Sequence, residues 1–375
     1  MTRTINELSA RELTKKIING DRMFILDVRP QDAFDDWKVE GKNVSIINKP
    51  FSELKNNLES IKGTLSKDES IYVICAKGNS SKKTAEMLVD AGMENIHSVE
   101  GGMQAWSEHL EPVKIGDVSG GELYQFVRIG KGCLSYAIVS NGEVALVDPA
   151  RLLEPYKKFI QEHSLSVKAI LDSHLHADHI SGGRSLSNEY NTPYYIPSKD
   201  AEEVQYEYKD LNDDTVIQVG KTSIKAVYSP GHTIGSTSFI VDNHYLLTGD
   251  ILFIDSIGRP DLAGKAEDWV GDLRTTLYSR YKHLQDDLLV LPAHFMTLDE
   301  MNENGSVSQS LSGLYKENHG LNIENEEEFR KTVTENLPSQ PNSYEKIRET
   351  NMGKMKPEEE EKREMETGPN RCAIR

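Results

Sequence analysis

Apolar runs of strand length alternate with helical spacings from the start of this chain. Ser9 and Glu12 form a capping-box pattern ahead of Leu13, Ile17 and Ile18, which share one face of a predicted helix. Met23 to Val28 then reads as a buried strand, and Ser70 to Cys75 as a second. The second strand runs into the small-residue loop Cys75-Ala76-Lys77-Gly78-Asn79-Ser80-Ser81. A helical spacing follows through Thr84, Ala85, Met87, Leu88 and Ala91, with a stop at Gly92. Strand, loop and helix in that order place Cys75 at the carboxyl end of a parallel sheet, where open α/β folds keep their sites.

The pattern changes beyond Glu111-Pro112, and the polar stretch Lys114 to Gly121 is predicted to be an interdomain link. Leu123 to Ile129, Leu134 to Val139 and Glu143 to Val147 are short strands broken by Gly130, Gly132 and Asn141-Gly142, the last a tight-hairpin signal. A helix over Glu154 to Glu162 leads into a buried strand, Val167 to Leu171. Hairpins mixed with helices predict a layered α/β sandwich. From about 305 onward the chain is polar and helix-prone, and Leu311, Leu314 and Tyr315 have the spacing of a helix packed on the sandwich. Asn336-Leu337-Pro338 through Pro341 breaks that pattern, and Lys356 to Lys362 reads as a solvated face or flexible link. The less polar stretch from Gly368 to Ile374 is expected to dock against the domain or a neighbour. The division expected is 1–112, 118–310 and a helical, acidic extension over 311–375.

Composition narrows the function classes. The 375 residues suffice for two cores, and 43 Lys and Arg against 60 Asp and Glu give a formal charge of −17. That balance argues against nucleic acid or an anionic membrane as the main partner. The three cysteines, Cys75, Cys133 and Cys372, are scattered and odd in number, which suits free thiols in a reducing compartment. With no apolar leader over MTRTINELSAREL and no long apolar run, a cytoplasmic protein is expected. A homo-oligomer is expected as well.

The densest chemistry is SHLHADHISGG, Ser173 to Gly183, directly behind a buried strand. His174, His176, Asp178 and His179 there form half of a metal site. Three later strand ends supply partners: His232 in Ser229-Pro230-Gly231-His232-Thr233, Asp250 after Leu246-Leu247-Thr248-Gly249, and His294 after Leu289-Val290-Leu291-Pro292-Ala293. Singly each would pass for a cap or turn residue; their recurrence favours a site. The Cys75 loop has its own logic. Backbone N–H groups of Gly, Asn and Ser converge on a sulfur, the following helix start favours an anion, and Lys77 adds a cation, so Cys75 reads as a nucleophile. Cys133, at a strand start, reads as buried packing, and Cys372 as an idle thiol in a loosely ordered stretch.

On these residues the chain resembles two families. Asp27 and Arg29 in LDVRP, the loop CAKGNSS opened by Cys75, and GGMQAW with Trp106 resemble a single rhodanese domain over about residues 1 to 110. The resemblance implies a doubly wound parallel sheet and a persulfide carried on Cys75. Ser80 stands where many members have Arg, and EGKNVSIIN replaces the usual His-containing segment. HLHADH with PGH, TGD and PAH, over about residues 120 to 300, is similar to the metallo-β-lactamase superfold, a four-layer αββα sandwich. Glyoxalase II within that superfold would imply His174, His176 and His232 on one metal, Asp178, His179 and His294 on a second, and Asp250 bridging. Persulfide dioxygenases imply one iron on His174, His232 and Asp250, with His176, Asp178, His179 and His294 around it.

Two imidazoles and a carboxylate leave open positions for substrate and oxygen, as non-haem Fe(II) oxygenases require, whereas a zinc hydrolase needs one open or bridging position. Ligand identity does not separate one Fe(II) per chain from two Zn. Gly258-Arg259-Pro260-Asp261 resembles the GRxD of the dioxygenases, and a fused sulfurtransferase makes chemical sense beside one. The expected activity is therefore oxidation by O2 of a glutathione, coenzyme A or bacillithiol persulfide to sulfite and free thiol. Cys75 would move sulfane sulfur among persulfide, sulfite and thiosulfate. Arg259 is a candidate substrate clamp, with a structural ion pair to Asp261 as its alternative. A thioester hydrolase of glyoxalase II type, or a sulfur relay with a structural metal, stay open beside it.

Overall fold

The computed structural model describes residues 5–65, 69–260, 266–335, 337, 343–370 and 372–374. Asp261 of the expected ion pair, and Asn336 with Pro338 and Pro341 of the expected break, lie outside the described residues. The chain divides into two compact units; the first runs to Glu111, and the second holds nearly all that follows.

In the first unit, β1 (Asn6–Leu8), α1 (Ala10–Ile18), β2 (Met23–Asp27), α2 (Gln31–Asp36) and β3 (Val44–Asn48) come first. Then follow α3 (Phe51–Leu54), α4 (Glu59–Lys62), β4 (Ile71–Ile74), α5 (Asn79–Asp90), β5 (Ile96–Val99) and α6 (Gly102–Glu108). The five strands form a parallel sheet in the order β1-β5-β4-β2-β3. Strands covered on both faces lose the alternation of a half-exposed strand, which is why MFILD and IYVI are almost wholly apolar. Leu26, Val28, Ile71, Val73, Ala85 and Leu88 make the core. The capping box of Ser9 and Glu12 opens α1 as the sequence predicts. Because Asp27 pairs with Ile74, the carboxyl ends of β2 and β4 lie side by side, and Cys75 emerges beside Asp27.

The second unit is a sandwich. Its first sheet takes β6 (Glu111–Val118), β7 (Gly121–Arg128), β8 (Cys133–Ser140), β9 (Glu143–Val147), β10 (Ser166–Leu171), β11 (Tyr194–Pro197) and β12 (Lys209–Leu211) in reverse spatial order. Its helices are α7 (Leu153–Glu162) and α8 (Gly183–Tyr190). The second sheet runs β13 (Val216–Val219), β14 (Thr222–Tyr228), β15 (Thr237–Val241), β16 (Tyr245–Gly249), β17 (Leu289–Pro292) and β18 (Gln309–Ser310). Its helices are α9 (Ala266–Thr275), α10 (Leu311–Glu317) and α11 (Glu326–Thr334); α12 (Tyr344–Asn351) and α13 (Glu359–Met365) follow. Asn141 and Gly142 both take positive φ, 51° and 78°, the geometry a two-residue hairpin needs, and join β8 to β9. Tyr156 and Phe159 of α7 pack edge-on or tilted against Phe126 of β7. On the other sheet, Leu273 of α9, Leu311 and Leu314 of α10 and Phe329 and Val333 of α11 cover Leu246 and Val290. These layers make the αββα sandwich, followed by the helical extension.

One expectation is corrected and another is narrowed. The supposed link Lys114 to Gly121 is mostly β6, the edge strand of the seven-stranded sheet. An edge strand is covered on one side only, so it tolerates Pro112 and carries Lys114, which pairs with Asp117 and Glu122. Of the two expectations for Lys356 to Lys362, the solvated face holds and the flexible link does not: Glu358 to Glu361 are exposed as the chain enters α13, capped by Glu358 with Glu361. Three glutamates in its first turn suit the positive helix end, and Met365 is buried with Ile180 and Ile347. No helix among the described residues is long and apolar enough to cross a membrane.

Candidate functional site

The second unit gathers its histidines by ending strands at one edge of the sandwich. The loop after β10 carries His174, His176, Asp178 and His179, the loop after β14 carries His232, and Asp250 and His294 follow β16 and β17. All seven are buried, the most exposed being His179 at 3%. His174, His232 and Asp250 bring one ligand atom each within 4.8 Å of one another. Oδ2 of Asp250 lies 3.3 Å from His232 Nε2 and 3.8 Å from His174 Nε2, while Oδ1 lies 3.1 Å from His294 Nε2. Asp250 thus faces two groups of donors, one with each oxygen. A second cluster joins Asp178, His179 and His294 with Cys133.

Partners behind the ring fix which nitrogen each histidine presents. Ser173 Oγ bonds His174 Nδ1 at 2.9 Å, and His232 Nδ1 lies 3.0 Å from the carbonyl of Arg259, so both rings turn Nε2 inward. His176 is the reverse: Nε2 lies 3.2 Å from Asp148 Oδ1, leaving Nδ1 toward the interior. The same carboxylate oxygen accepts from Ser173 N at 2.6 Å, so Asp148 braces the start of the loop as well. His174 Nε2, His176 Nδ1, His294 Nε2 and both Asp250 oxygens are buried and make no hydrogen bond. Buried polar atoms are seldom left so, and those of His174, Asp250 and His294, which lie in groups of ligand atoms within 4.8 Å of one another, fit a metal site in donor type.

Electrostatics divide the histidines. Burial, and then the neighbouring His176, hold His174 well below the usual histidine range, and burial lowers His232. Both present neutral imidazole, the form a metal takes. Burial opposes ionisation of Asp250, but His294, His232 and His174 outweigh it and hold the carboxyl low. Burial also disfavours charge on His176, yet the hydrogen bond and charge of Asp148 prevail and push it up to about 9.

The extension beyond α11 supports this centre. Asn351 Nδ2 donates to the carbonyls of His176 and His179 at 2.9 and 3.0 Å, and its Oδ1 accepts from Ser181 N at 2.9 Å. Glu366 Oε1 accepts from Ile180 N at 2.8 Å. Asn370 Nδ2 donates to Asp178 Oδ2 at 3.2 Å and lies 2.8 Å from His294 Nδ1. Cys372 is 2% exposed and grouped with Asp250 and His294, so its surroundings are not the loosely ordered stretch expected, and Cys133 is buried as expected with Sγ 3.8 Å from Asp178 Oδ2. Nothing in the local sequence marks these residues, because their roles come from long-range docking. Asp148 alone had a signal, as an acid at the end of a buried strand. Arg259 is 1% exposed, and its carbonyl is what orients His232.

In the first unit, Cys75 Sγ accepts from Gly78 N at 3.2 Å and contacts Ser81 Oγ at 3.4 Å, at the start of α5. Ser98 Oγ reaches Ser81 Oγ from β5 at 3.2 Å. Gly78 takes φ +87°, and a Cβ at Gly102, φ +59°, would lie 2.1 Å from the Cys75 carbonyl. Ala76, Lys77 and Asn79 are exposed and Ser80 half-buried around the sulfur. Asp27 and Arg29 form a buried pair, Nη2 to Oδ2 2.7 Å, with Arg29 also donating to the Trp37 carbonyl at 2.6 Å. They brace the strand end next to Cys75.

Comparison with known proteins agrees with this architecture. The model for the metallo-beta-lactamase superfamily matches residues 128–294, and that for the rhodanese-like domain matches residues 9–109. A hydroxyacylglutathione hydrolase of Haemophilus ducreyi is 30% identical over 174 residues, 46% of this chain and 69% of the relative. A probable metallo-hydrolase of Bacillus subtilis is 26% identical over 188 residues, 45% of this chain and 88% of the relative. Among solved structures, a metallo-beta-lactamase from Staphylococcus aureus superposes with TM-score 0.56 at 25% identity, covering 62% of this chain and 73% of the other. ETHE1 from Myxococcus xanthus superposes with TM-score 0.53 at 21% identity, over 62% and 99%, a likeness of fold. The chain belongs to the metallo-β-lactamase superfamily and carries a rhodanese-like domain ahead of that fold.

Proposed function

We propose that this chain oxidises a low-molecular-weight thiol persulfide with O2, and that Cys75 moves sulfane sulfur to or from the same pool. The observation that carries this reading is the pairing, in one chain, of a cradled thiol at Cys75 with a two-histidine, one-carboxylate group at His174, His232 and Asp250. One Fe(II) held there would supply open positions for sulfur and dioxygen and the redox chemistry between them. The overall change is RSSH + O2 + H2O → RSH + HSO3⁻ + H⁺, in which the outer sulfur is oxidised and dioxygen reduced.

The protein's own part is positional. Ser173 and the Arg259 carbonyl hold His174 and His232 with Nε2 inward, and the buried walls exclude bulk water. At the thiol loop, the Cys75 thiolate attacks the outer sulfur of thiosulfate, forming Cys75–S–S⁻ and releasing sulfite. A small thiolate then takes that sulfur as RSS⁻ and restores the Cys75 thiolate. Gly78 N, already donating to the sulfur, stabilises its negative charge in either state, while Ser81 Oγ accepts from the thiol and donates to the Gly78 carbonyl. Glutathione, coenzyme A and bacillithiol all fit this chemistry as the carrier.

A second reading rests on a specific feature: Asp250 turns one oxygen toward His174 and His232 and the other toward His294, and His176 Nδ1 points inward without a partner. That arrangement suits a bridging carboxylate between two zinc ions in a thioester hydrolase. Elemental analysis and an oxygen electrode separate the two. One iron per chain with oxygen uptake on adding glutathione persulfide is expected; two zincs, no uptake and cleavage of a glutathione thioester would overturn the proposal.

A further inference from the structure

Cys372 reaches the metal centre from the far end of the extension, and its position is built rather than loose. The backbone of Ala373 bridges Gly258 in antiparallel fashion, Ile374 N donates to the Ile257 carbonyl at 3.2 Å, and Arg259 N donates to the Cys372 carbonyl at 3.4 Å. Cys372 N donates to Asn370 Oδ1 at 2.6 Å, while the amide nitrogen of Asn370 holds Asp178. Cys372 and Ala373 pack against Phe253 and Met296. These ties, all on the residues around the thiol, fix the direction in which it points. That direction is into the centre: the Cys372 sulfur, an Asp250 oxygen and a His294 nitrogen lie within 4.8 Å of one another, all buried.

The independent sign of a ligand is in the other two members. Both Asp250 oxygens and His294 Nε2 are buried and make no hydrogen bond, although Oδ1 and Nε2 lie 3.1 Å apart, the pattern of ligand atoms that face one another without being satisfied by one another. Metal–sulfur bonds of about 2.3 Å and metal–nitrogen or metal–oxygen bonds of about 2.1 Å set ligand atoms on one tetrahedral ion roughly 3.5 Å apart. The observed spread is brought to that separation by small shifts of side chains. Thiolate is also the softest donor the chain offers, and it suits iron, zinc and cobalt alike.

We infer that Cys372 is a protein-supplied thiolate ligand beside Asp250 and His294, delivered by the docked residues Cys372 to Ile374. Cys372 stands with Asp250 and His294 and outside the group of His174, His232 and Asp250, so its thiolate would hold a position beside the one open to an external sulfur compound. That consequence rests on the function proposed above; the ligation itself does not.

Cobalt(II) is the probe, because a thiolate bound to it gives an intense near-ultraviolet charge-transfer band in addition to the visible bands that report any bound cobalt. The full chain stripped of metal and loaded with cobalt should show both sets of bands. The charge-transfer band should be lost in Cys372→Ser and kept in Cys133→Ser, the other thiol near His294. Adding 2-mercaptoethanol to Cys372→Ser should restore the band, since a small thiol then enters the vacated position. A band that survives in Cys372→Ser, or that is lost in Cys133→Ser instead, overturns the inference. So does wild-type protein with visible cobalt bands and no charge transfer, a result that would leave the persulfide reading standing. Absence of any cobalt spectrum would overturn the metal centre and this ligand together.

Discussion

Asp148 does more for the centre than its sequence context suggests. One oxygen accepts from Ser173 N and faces His176 Nε2, so a single carboxylate sets the start of the metal loop and the orientation of a ring within it. Its charge is also what raises His176 to about 9 against the cost of burial. A histidine raised in the folded state stabilises below its unfolded value of about 6.5, and that contribution is lost as pH rises through the folded value. For the metal-free chain, stability from this pair should be full below about pH 6.5 and fall by about 1–3 kcal/mol on reaching pH 9.5. Urea unfolding of metal-free protein across that range checks it, and Asp148→Asn should remove most of the slope. An unchanged slope in that variant would assign the pH dependence elsewhere. The cluster of His174, His176, Asp178 and His179 was legible because its ligands are adjacent in sequence, and His232, Asp250 and His294 because each ends an apolar strand. Asp148 was passed over because a lone acid after a strand is common at turns.

At the scale of elements, what is legible in the sequence is what neighbouring residues decide. The Ser9–Glu12 box, the Asn141-Gly142 hairpin and the strand–loop–helix around Cys75 are set by neighbours a few residues apart, and each stands in the fold as the pattern suggests. Elements that depend on distant partners are less legible. The strand from Glu111 to Val118 gains its place by lying on a sheet edge, where the sequence suggests a link. The extension is helical as expected, but where its helices dock is not legible, and that matters for the site because α12 holds the metal loop through Asn351. Its side chain satisfies two loop carbonyls and one loop N–H in a buried setting. Asn351→Ala should therefore cost about 1–3 kcal/mol of stability, since three buried groups lose their partner. The loosened loop should also weaken metal retention by about tenfold or more. A chelator-competition titration beside a thermal melt tests both; a lower melting temperature with unchanged metal affinity would show that Asn351 supports the fold without tuning the centre.

For the whole molecule, the two family matches set a metallo-β-lactamase fold beside a rhodanese-like domain, to which the proposed function gives two chemistries, persulfide oxidation and sulfur transfer. The two chemistries use different residues, so each can be removed separately, and the supply of substrate decides which loss is felt. When glutathione persulfide is provided directly, Cys75→Ser should consume oxygen at the wild-type rate, because the thiol loop is not needed. When thiosulfate and a little glutathione are provided instead, persulfide must first be made by S2O3²⁻ + RS⁻ → RSS⁻ + SO3²⁻, and that step runs through Cys75. Oxygen uptake in Cys75→Ser should then fall to the rate without enzyme-made persulfide, a loss of about a hundredfold or more, as expected when a catalytic nucleophile is removed. Asp250→Ala should give the converse: no oxygen uptake from either supply, with thiosulfate still converted to sulfite and persulfide. An oxygen electrode and a sulfite assay on the same samples distinguish these cases. Equal oxygen uptake by wild type and Cys75→Ser on thiosulfate would show that the rhodanese-like domain does not feed the metal centre, whatever sulfur it carries.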